Sequence, residues 1–402
     1  MARNQRRVGD VRKLSVLVIH NQYQQPGGED VAVCAEIEML CRAGHRVVPF
    51  IRSNKAISSF NLAQKAALFA SATWNWSAHA QVCELIAKER PDLAHCHNLM
   101  PLLSPSVYDA CKSAGVPVVQ TLHNYRLLCP AATMYAGESI CDDCSHSLCR
   151  GVARACYRKS RVQTAAVAMM IGAHRLRGTW NRSVDAYVAV SQFARGRFVA
   201  GGLPAGKVHV KPNFLPNSPV PHESSGDYAL FVGRLSPEKG VMEMLRAWQH
   251  LAHIPLRVVG GGPLQSEVSR LVRESGSSHI KLLGQLSVEE TRTSMQHARF
   301  LIFPSRWHEP FGMALLEAAA CGVPAIASRI GGIPELVKDD QTGLLFAPSN
   351  FAELSEKSNW AWTHPAEMSA MGLAARQRYE QRYTAEQNYE RLMSIYEAAL
   401  TN

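Results

Sequence analysis

The chain has 402 residues, of which 47% are hydrophobic and 19% are charged, and it contains 11 cysteines. This composition excludes an intrinsically disordered chain, a collagen and a small disulfide-rich scaffold. At roughly 150 residues per domain, the length predicts two domains with separate cores. The formal net charge of +10 is uneven, because residues 1–210 carry 25 basic and 13 acidic side chains, whereas residues 211–402 carry 18 and 20.

No apolar run reaches the ~20 residues of a membrane-spanning helix, and the longest covers residues 165–173. The basic start of the chain is followed by a short apolar run without a small-residue cleavage site. That pattern indicates a first strand rather than a signal peptide. We therefore expect a cytoplasmic protein, attached at most peripherally to the inner face of a membrane.

Short apolar runs rich in β-branched residues alternate with segments of helical spacing, which predicts parallel sheets covered by helices on both faces. In the first half the predicted strands are 14–19, 47–51, 93–96, 116–122, 186–190 and 208–210, and the predicted helices include 30–43 and 79–88. Four prolines between residues 212 and 221 interrupt this pattern. It resumes with strands 228–232, 256–259, 280–283, 300–303, 325–327 and 344–346 and a final helix over 385–400.

These elements predict the α/β class, with two doubly wound Rossmann-like domains. The N-terminal domain is expected over residues 1–211, with a cysteine-rich insertion around 129–156. The C-terminal domain is expected over 212–384 and a last helix over 385–402. We expect the two domains to face a central cleft, which is the default ligand site of such an architecture.

The most informative stretch runs from residue 303 to residue 324, where a strand end is followed by a loop with Glu309 and a predicted helix from about 311 to 321. Free backbone N–H groups at Phe311, Gly312 and Met313 suit an anion or a sugar. Glu317 lies about one turn further on, where it can accept hydrogen bonds from vicinal hydroxyls. The sequence therefore predicts a binding site at the start of this helix.

A second phosphate-binding element is predicted over residues 232–240, after the first strand of the second domain. Arg234 and Lys239 can neutralise a diphosphate without a metal ion, Arg234 through its planar fork and Lys239 as a point charge. Two surface cations in a turn are the alternative for this motif by itself. The glycines at 260–262 permit close backbone approach at the end of the next strand.

In the first domain, Gly27 and Gly28 lie between the first strand and a helix, where they can wrap a phosphate. The stretch lacks the G-x-G-x-x-G fingerprint, which disfavours a nicotinamide dinucleotide. His123 follows a predicted strand and can bind a sugar or move a proton, although a single histidine is also compatible with a structural role.

Taken together, these motifs resemble the retaining glycosyltransferases of family 4, which have the GT-B fold. The resemblance covers nearly the whole chain through the stretches 27–29, 95–98, 121–130, 190–193, 211–214, 233–240 and 309–317. It implies that the last helix crosses back to the N-terminal domain. It also implies roles for individual residues: the donor diphosphate on Arg234 and Lys239, the ribose on Glu317, the transferred sugar on Glu309, phosphate or sugar contacts at Gly27, Gly28, Phe311, Gly312 and Met313, and His123 lining the reaction centre.

The implied activity is transfer of a sugar from a nucleoside diphosphate donor to a carbohydrate or lipid-linked acceptor with retention of configuration. The resemblance implies no catalytic metal and no other cofactor, and it favours the synthesis of cell-surface polysaccharide or lipopolysaccharide. Uridine and guanosine donors, the sugar and the acceptor all stay open.

Two other classes of function compete with this interpretation. One is another enzyme with the same architecture, such as a sugar-nucleotide epimerase or a phosphorylase, although no motif marks the pyridoxal lysine that a phosphorylase needs. The other is a nucleic-acid-binding protein attracted by the +10 charge. No recognition module supports that class, so we expect no nucleic acid partner.

Five cysteines fall between residues 129 and 156, and Cys141 and Cys144 have the two-residue gap of a zinc knuckle. Cys129 upstream and Cys149 or Cys156 downstream complete a tetrahedral set. We expect either a structural zinc site at Cys129, Cys141, Cys144 and Cys156 or free thiols.

Between Cys144 and Val184 the chain has eight basic residues and no acidic residue. They flank an apolar stretch over 162–171 and Trp180, so the segment suits an anionic membrane surface. The alternative is an ordinary core helix. The basic excess of the first half favours an acceptor that is anionic or is presented at an anionic membrane.

Overall fold

The computed structural model describes residues 12–24, 27–220 and 226–401. Its described strands form two six-stranded parallel sheets and one antiparallel hairpin. The strands are β1 Ser15–Gln22, β2 Arg46–Ser53, β3 Leu93–Cys96, β4 Val118–Leu122, β5 Tyr135–Ala136, β6 Ser139–Ile140, β7 Ala186–Ala189, β8 Val208–Val210, β9 Ala229–Val232, β10 Leu256–Val259, β11 Ile280–Gly284, β12 Phe300–Phe303, β13 Ala325–Ser328 and β14 Gly343–Phe346.

Helices separate most of these strands. They are α1 Gly28–Arg42, α2 Leu62–Ser71, α3 Trp76–Glu89, α4 Ser106–Ser113, α5 Asp143–His146, α6 Leu148–Ala153, α7 Arg161–Leu176, α8 Thr179–Arg182, α9 Gln192–Ala200, α10 Val241–Trp248, α11 Gln265–Glu274, α12 Val288–Gln296, α13 Met313–Cys321, α14 Ile333–Leu336, α15 Phe351–Thr363, α16 Pro365–Arg382 and α17 Ala385–Thr401. Short 3₁₀ helices cover Asn54–Ser59, Ala205–Lys207 and Pro237–Lys239. Among the described residues, no helix combines the length and apolarity that crossing a bilayer requires.

The predicted fold class is confirmed, and each of the twelve predicted strands is present with ends shifted by at most three residues. β1 and β2 are longer than predicted because their parallel pairing continues through Gln22 and Ser53, where the chain is already polar. The hairpin of β5 and β6 and the short helices α5 and α6 were not predicted. Elements of two to six residues are too short to show a periodic pattern.

In the second sheet the strand order is β11-β10-β9-β12-β13-β14. β9 and β12 are therefore neighbours although two strands and three helices separate them along the chain. The order of strands reverses between these two, which is the point where open parallel sheets bind ligands beyond their carboxyl ends. The first sheet has the order β2-β1-β3-β4-β7-β8, with its reversal beside β1.

The second sheet has a dense apolar core, which fixes the loops at its carboxyl edge. Phe231, Phe300 and Ile302 from adjacent strands are at most 2% exposed, and they belong to one cluster with the fully buried Trp248 of α10. The indole Nε1 of Trp248 donates a hydrogen bond to the Ile254 carbonyl at 3.1 Å. The large side chain is thus buried with its polar atom satisfied.

Contacts divide the chain into two compact units. The first comprises residues 1–121, 173–188 and 392–402, and the second comprises 122–172 and 189–391. In the first unit, the Tyr396 hydroxyl of α17 lies 2.7 Å from Nδ1 of the buried His95. The predicted domain limits at residues 211 and 384 stay a prediction, and Pro221 of the predicted linker lies outside the described residues.

The apolar stretch after the cysteines lies in α7, and most of it is buried. Val167, Met170 and Ile171 are at most 2% exposed, and Trp180 is 6% exposed. These side chains therefore belong to the core, as in the alternative given for this segment. Val162 and Met169 of the same helix are 69% and 60% exposed.

Candidate functional site

Two loops of the second unit follow the adjacent strands β9 and β12. The β9 loop covers residues 233–240, and the β12 loop covers residues 304–312. Because neighbouring parallel strands end at the same edge of a sheet, these loops lie side by side. The structure thus brings together two motifs that are about 70 residues apart in sequence.

At the centre of this edge, Lys239 and Glu309 form an ion pair. The Lys239 Nζ lies 3.0 Å from Oε1 and 2.8 Å from Oε2 of Glu309. The two side chains are 21% and 8% exposed. Because the pair is largely removed from water, each charge needs the other to compensate for its lost hydration.

Two neutral donors complete the environment of the Glu309 carboxylate. Ser305 Oγ donates to Oε2 at 3.0 Å, and Trp307 Nε1 donates to the same oxygen at 2.7 Å. The Trp307 and Phe303 rings also lie 5.4 and 5.6 Å from the Lys239 ammonium, within cation–π range. The carboxylate is therefore oriented by three donors before any ligand binds. The sequence prediction missed Trp307 and Ser305, although both lie within the stretch it singled out.

Close backbone packing holds the two loops together. Gly240 has φ +70°, and a Cβ atom at this position would lie 1.9 Å from the Pro304 carbonyl oxygen. Gly331, with φ +61°, packs in the same way on Glu309, where a Cβ would lie 2.6 Å from the backbone nitrogen. Gly332 N–H donates to the Glu309 carbonyl at 2.8 Å. The adjacent glycines after β13 are the sequence signal that could have identified this support.

The glycines at 260–262 support the β9 loop. A Cβ at Gly260, which has φ +134°, would lie 1.9 Å from the Gly233 carbonyl oxygen. The predicted close approach is thus to protein backbone. Arg234, within the supported loop, is exposed. In the part of the chain that the structure describes, its guanidinium forms no ion pair.

Helix α13 begins at Met313, two residues later than predicted. Gly312 is its N-cap with φ +112°, a conformation that places the preceding Phe311 outside the helix. The Leu315 N–H donates to the Gly312 carbonyl at 3.1 Å. Met313 and Ala314 are the first-turn residues that precede this hydrogen bond. The helix ends at Gly322 as predicted, in the left-handed conformation.

Glu317 lies in the second turn of α13 and is partly buried. Its pKa is raised from the ordinary value of 4.5 to about 7, mainly because burial disfavours the charged carboxylate, and the positive charge of Arg292 opposes this rise. A hydrogen-bond donor or a cation arriving at this carboxylate would restore its ionised form.

The loop after β4 also reaches the Glu309 environment. His123 follows β4 and is partly exposed, whereas Tyr125 is fully buried. The Tyr125 ring lies 6.3 Å from the Trp307 ring in an edge-on arrangement. Burial, and then the nearby Glu309 carboxylate, raise the pKa of Tyr125 above its usual range. Tyr125 thus connects the β4 loop to the loop of Glu309.

Gly27 and Gly28 belong to the first unit, where Gly27 is the N-cap of α1 and Gly28 its first residue. The Gly27 N–H donates to Asp30 Oδ2 at 2.9 Å, and the other oxygen of Asp30 lies 2.9 Å from His20 Nε2. A carboxylate of the chain itself therefore already uses one N–H group of this helix end. Gln25 and Pro26 of the predicted phosphate loop lie outside the described residues.

Comparison with known families agrees with this geometry. The profile of the family described as Glycosyltransferase Family 4 matches residues 26–217, and that of Glycosyl transferases group 1 matches residues 218–378. The chain belongs to the family-4 glycosyltransferases. The profile of Glycosyl transferases group 1, over residues 218–378, includes both loops that carry the Lys239–Glu309 pair.

Among related proteins, the chain is 36% identical over 160 residues to the D-rhamnosyltransferase WbpZ of Pseudomonas aeruginosa, an alignment that covers 39% of this chain and 42% of that protein. It is 32% identical over 181 residues to O-antigen chain mannosyltransferase C of Escherichia coli, covering 44% of this chain and 48% of that protein. The chain thus spans less than half the length of these curated relatives.

The crystal structure of Anabaena HepE in complex with UDP-glucose shares the fold. It superposes with a TM-score of 0.69 over 96% of this chain and 100% of HepE, at 19% sequence identity. The predicted GT-B fold is confirmed by this similarity.

Proposed function

We propose that this protein transfers a sugar from a nucleoside diphosphate donor to a glycan or lipid-linked acceptor with retention of anomeric configuration, in the synthesis of a cell-surface polysaccharide. The names of the rhamnosyl- and mannosyltransferase relatives support such a role. The observation that carries the proposal is the Lys239–Glu309 pair at the reversal point of the second sheet.

The pair provides a cation and a carboxylate at one edge, each with a different task. Lys239 and the exposed Arg234 would bind the donor diphosphate, whose negative charge these two cations can offset without a metal ion. Phosphate competes with Glu309 for the Lys239 ammonium. The Glu309 carboxylate, still held by the Trp307 indole, would then accept hydrogen bonds from hydroxyls of the transferred sugar.

Helix α13 would bind the rest of the donor. Backbone N–H groups at Phe311, Gly312 and Met313 would contact the phosphate or the sugar, since this helix end leaves N–H groups unpaired within the helix. Glu317 would accept hydrogen bonds from the ribose hydroxyls, which compensate for the burial of its charge. On the other side, His123 would line the reaction centre.

In the proposed reaction, the bond between the anomeric carbon and the β-phosphate oxygen breaks through an oxocarbenium-like state. The electron pair leaves with the diphosphate, which gains negative charge beside Lys239 and Arg234. The acceptor hydroxyl then attacks the same face of the sugar, and its proton passes to the departing phosphate. Fixed cations stabilise this separated charge more strongly than the ground state.

The acceptor is proposed to be anionic or presented at an anionic membrane surface. Val162 and Met169 are seven residues apart on α7, so they share one exposed face of that helix. Arg158, Lys159 and Arg161 precede this face or start the helix. Exposed apolar side chains beside a basic cluster are typical of contacts with a lipid interface.

The function is tested by donor screening followed by substitution. A thermal-shift panel of UDP, GDP, ADP and dTDP identifies the nucleotide, and the matching radiolabelled sugar nucleotides are then tested for transfer and slow hydrolysis. Lys239→Met is expected to reduce transfer about 100-fold or more, because it removes charge stabilisation of the leaving group. NMR of the product reports its anomeric configuration.

Removal of Lys239 also leaves the Glu309 carboxylate buried without its partner, which can destabilise the fold by about 3 kcal/mol. The double variant Lys239→Met with Glu309→Gln removes both charges and serves as the folded inactive form. Lys281→Ala, at an exposed residue of β11, is the control for loss of a cation. Full transfer by a folded Lys239→Met protein, or a product of inverted configuration, would refute the proposal.

A further inference from the structure

Four cysteines of the second unit converge on one small cavity in the insertion between β4 and α7. They are Cys129, Cys141, Cys144 and Cys156. The fifth cysteine of the segment, Cys149, is exposed and does not line the cavity. The structure therefore decides between the two downstream candidates that the sequence left open, in favour of Cys156.

The four cysteines line this cavity, and none of them forms a disulfide. Cys129 and Cys144 are buried and hydrogen-bonded to each other through their side chains, and both interact electrostatically with Cys156. None of the eleven cysteines, all of which lie within the described residues, forms a disulfide. Four soft donors at one place form the ligand set that zinc prefers in structural sites.

The backbone around the cavity is held in unfavourable conformations. Nine non-glycine residues among those described have positive φ, and six of them lie between residues 132 and 159. Side chains other than that of glycine adopt this region only where the surroundings fix the backbone. The segment has only two-residue strands and helices of four and six residues, which do not stabilise themselves. A cross-link at its centre is the physical means by which such a small module keeps its shape.

Charged side chains beside the cavity suit a cluster of thiolates. Arg154 Nη1 lies 3.6 Å from Cys141 Sγ, and Arg154 and Arg150 pair with Asp143 at 2.6 and 3.3 Å. A zinc ion bound by four thiolates has a net charge of −2, which a neighbouring guanidinium offsets. Gly151 leaves room for the sulfur of Cys144, since a Cβ there would lie 2.9 Å from it.

We propose that Cys129, Cys141, Cys144 and Cys156 bind one zinc ion as a structural site. On binding, the four thiols release their protons to solvent and the thiolates fill all four positions of the tetrahedral ion. No position is left for water or substrate, so the site stabilises the fold and takes no part in chemistry.

The module that this ion holds together contacts the loop of Glu309. Arg306 Nη2 donates to the Glu138 carbonyl at 3.0 Å, and Arg197 pairs with Asp142. Arg306 directly precedes Trp307, whose indole binds Glu309. By holding the hairpin of β5 and β6 in place, zinc would therefore stabilise the loop that carries Glu309.

Metal analysis tests the proposal without any sugar donor. Protein purified without chelators is expected to contain about one zinc ion per chain, measured by inductively coupled plasma mass spectrometry. Cys141→Ser and Cys156→Ser are expected to lose at least about nine-tenths of it, because a structural site needs all four ligands. Cys149→Ser, the matched control in the same segment, is expected to keep the full amount.

Wild-type protein provides a second measurement if the cysteine variants fail to fold. Titration with an organomercurial thiol reagent is expected to release the zinc, detected with a metallochromic dye, and to lower the melting temperature. Added Zn²⁺, but not Mg²⁺, is expected to restore that temperature after the reagent is removed with dithiothreitol. Protein without zinc that also fails to bind added Zn²⁺, the absorption of an iron–sulfur cluster, or equal zinc loss in Cys149→Ser would overturn the proposal. None of these results depends on the proposed transferase activity.

Discussion

Glu317→Gln isolates the energetic cost of a buried carboxylate at the proposed ribose contact. The Glu317 pKa is about 7 in the folded protein and 4.5 in its ordinary, solvated state. The folded chain therefore binds this proton more tightly than the unfolded chain. Stability from this group is complete below about pH 4.5 and is lost as the pH rises through about 7.

The size of the effect follows from the two pKa values. They differ by about 2.5 units, and each unit corresponds to about 1.36 kcal/mol. Between pH 4.5 and pH 8 the wild-type protein is thus expected to lose on the order of 3 kcal/mol through Glu317. Glutamine has the same shape and does not ionise, so the variant avoids this loss. Its advantage at pH 8 corresponds to a melting temperature a few degrees higher, about 3 to 4 °C for a chain of this length.

The assay is thermal unfolding of both proteins by circular dichroism between pH 5 and pH 8. Glu267→Gln, at an exposed residue of α11, controls for the general loss of a negative charge. We expect the difference between Glu317→Gln and wild type to grow with pH, and that between Glu267→Gln and wild type to stay constant. A difference at Glu317 that does not change with pH would show that its carboxylate is not disfavoured by burial, and the reasoning would fail.

Two further predictions concern packing and the membrane. Gly240→Ala places a methyl group 1.9 Å from the Pro304 carbonyl oxygen at φ +70°, and we expect the free energy of unfolding in urea titrations to fall by about 2 kcal/mol or more. Gly206 has open space around it, so Gly206→Ala should change the free energy of unfolding by less than about 1 kcal/mol. Equal effects of the two substitutions would contradict the packing argument. Co-sedimentation of the protein with anionic vesicles should weaken as the salt concentration increases. The double variant Val162→Asp with Met169→Asp should bind the vesicles more weakly than the wild type. Vesicle binding that is absent or insensitive to salt would refute the electrostatic contact.

Much of the fold could be predicted from the sequence because its strands are buried on both faces. A run such as Phe300–Phe303 is apolar throughout. A strand in a parallel sheet covered by helices needs this pattern, because both of its faces are buried. Glycines such as Gly322 marked a helix end for an equally local reason, since this residue adopts φ +75°. In contrast, α13 begins two residues later than the sequence predicted, because the positive φ of Gly312 separates Phe311 from the helix.

The candidate site was predicted as separate motifs, and its internal contacts were not. Lys239 and Glu309 were assigned to different parts of the donor, and their direct pairing depends on β9 lying beside β12. That neighbour relation is a property of strand order, which local patterns do not contain. The same holds for Gly331, whose contact with Glu309 exists only after the loops of β12 and β13 have come together.

The uneven charge and the cysteine spacing were visible in the sequence from the start. Composition located the basic excess in the first half of the chain, and the two-residue gap marked Cys141 and Cys144 as a pair. Only the tertiary structure showed that Cys156, rather than Cys149, lies at the same cavity, and that Asp143 pairs with part of the basic segment. Sequence fixes the chemical type and the local spacing of side chains. Which of them meet is decided by the packing of elements far apart in the chain, because contact energies act across space and not along the sequence.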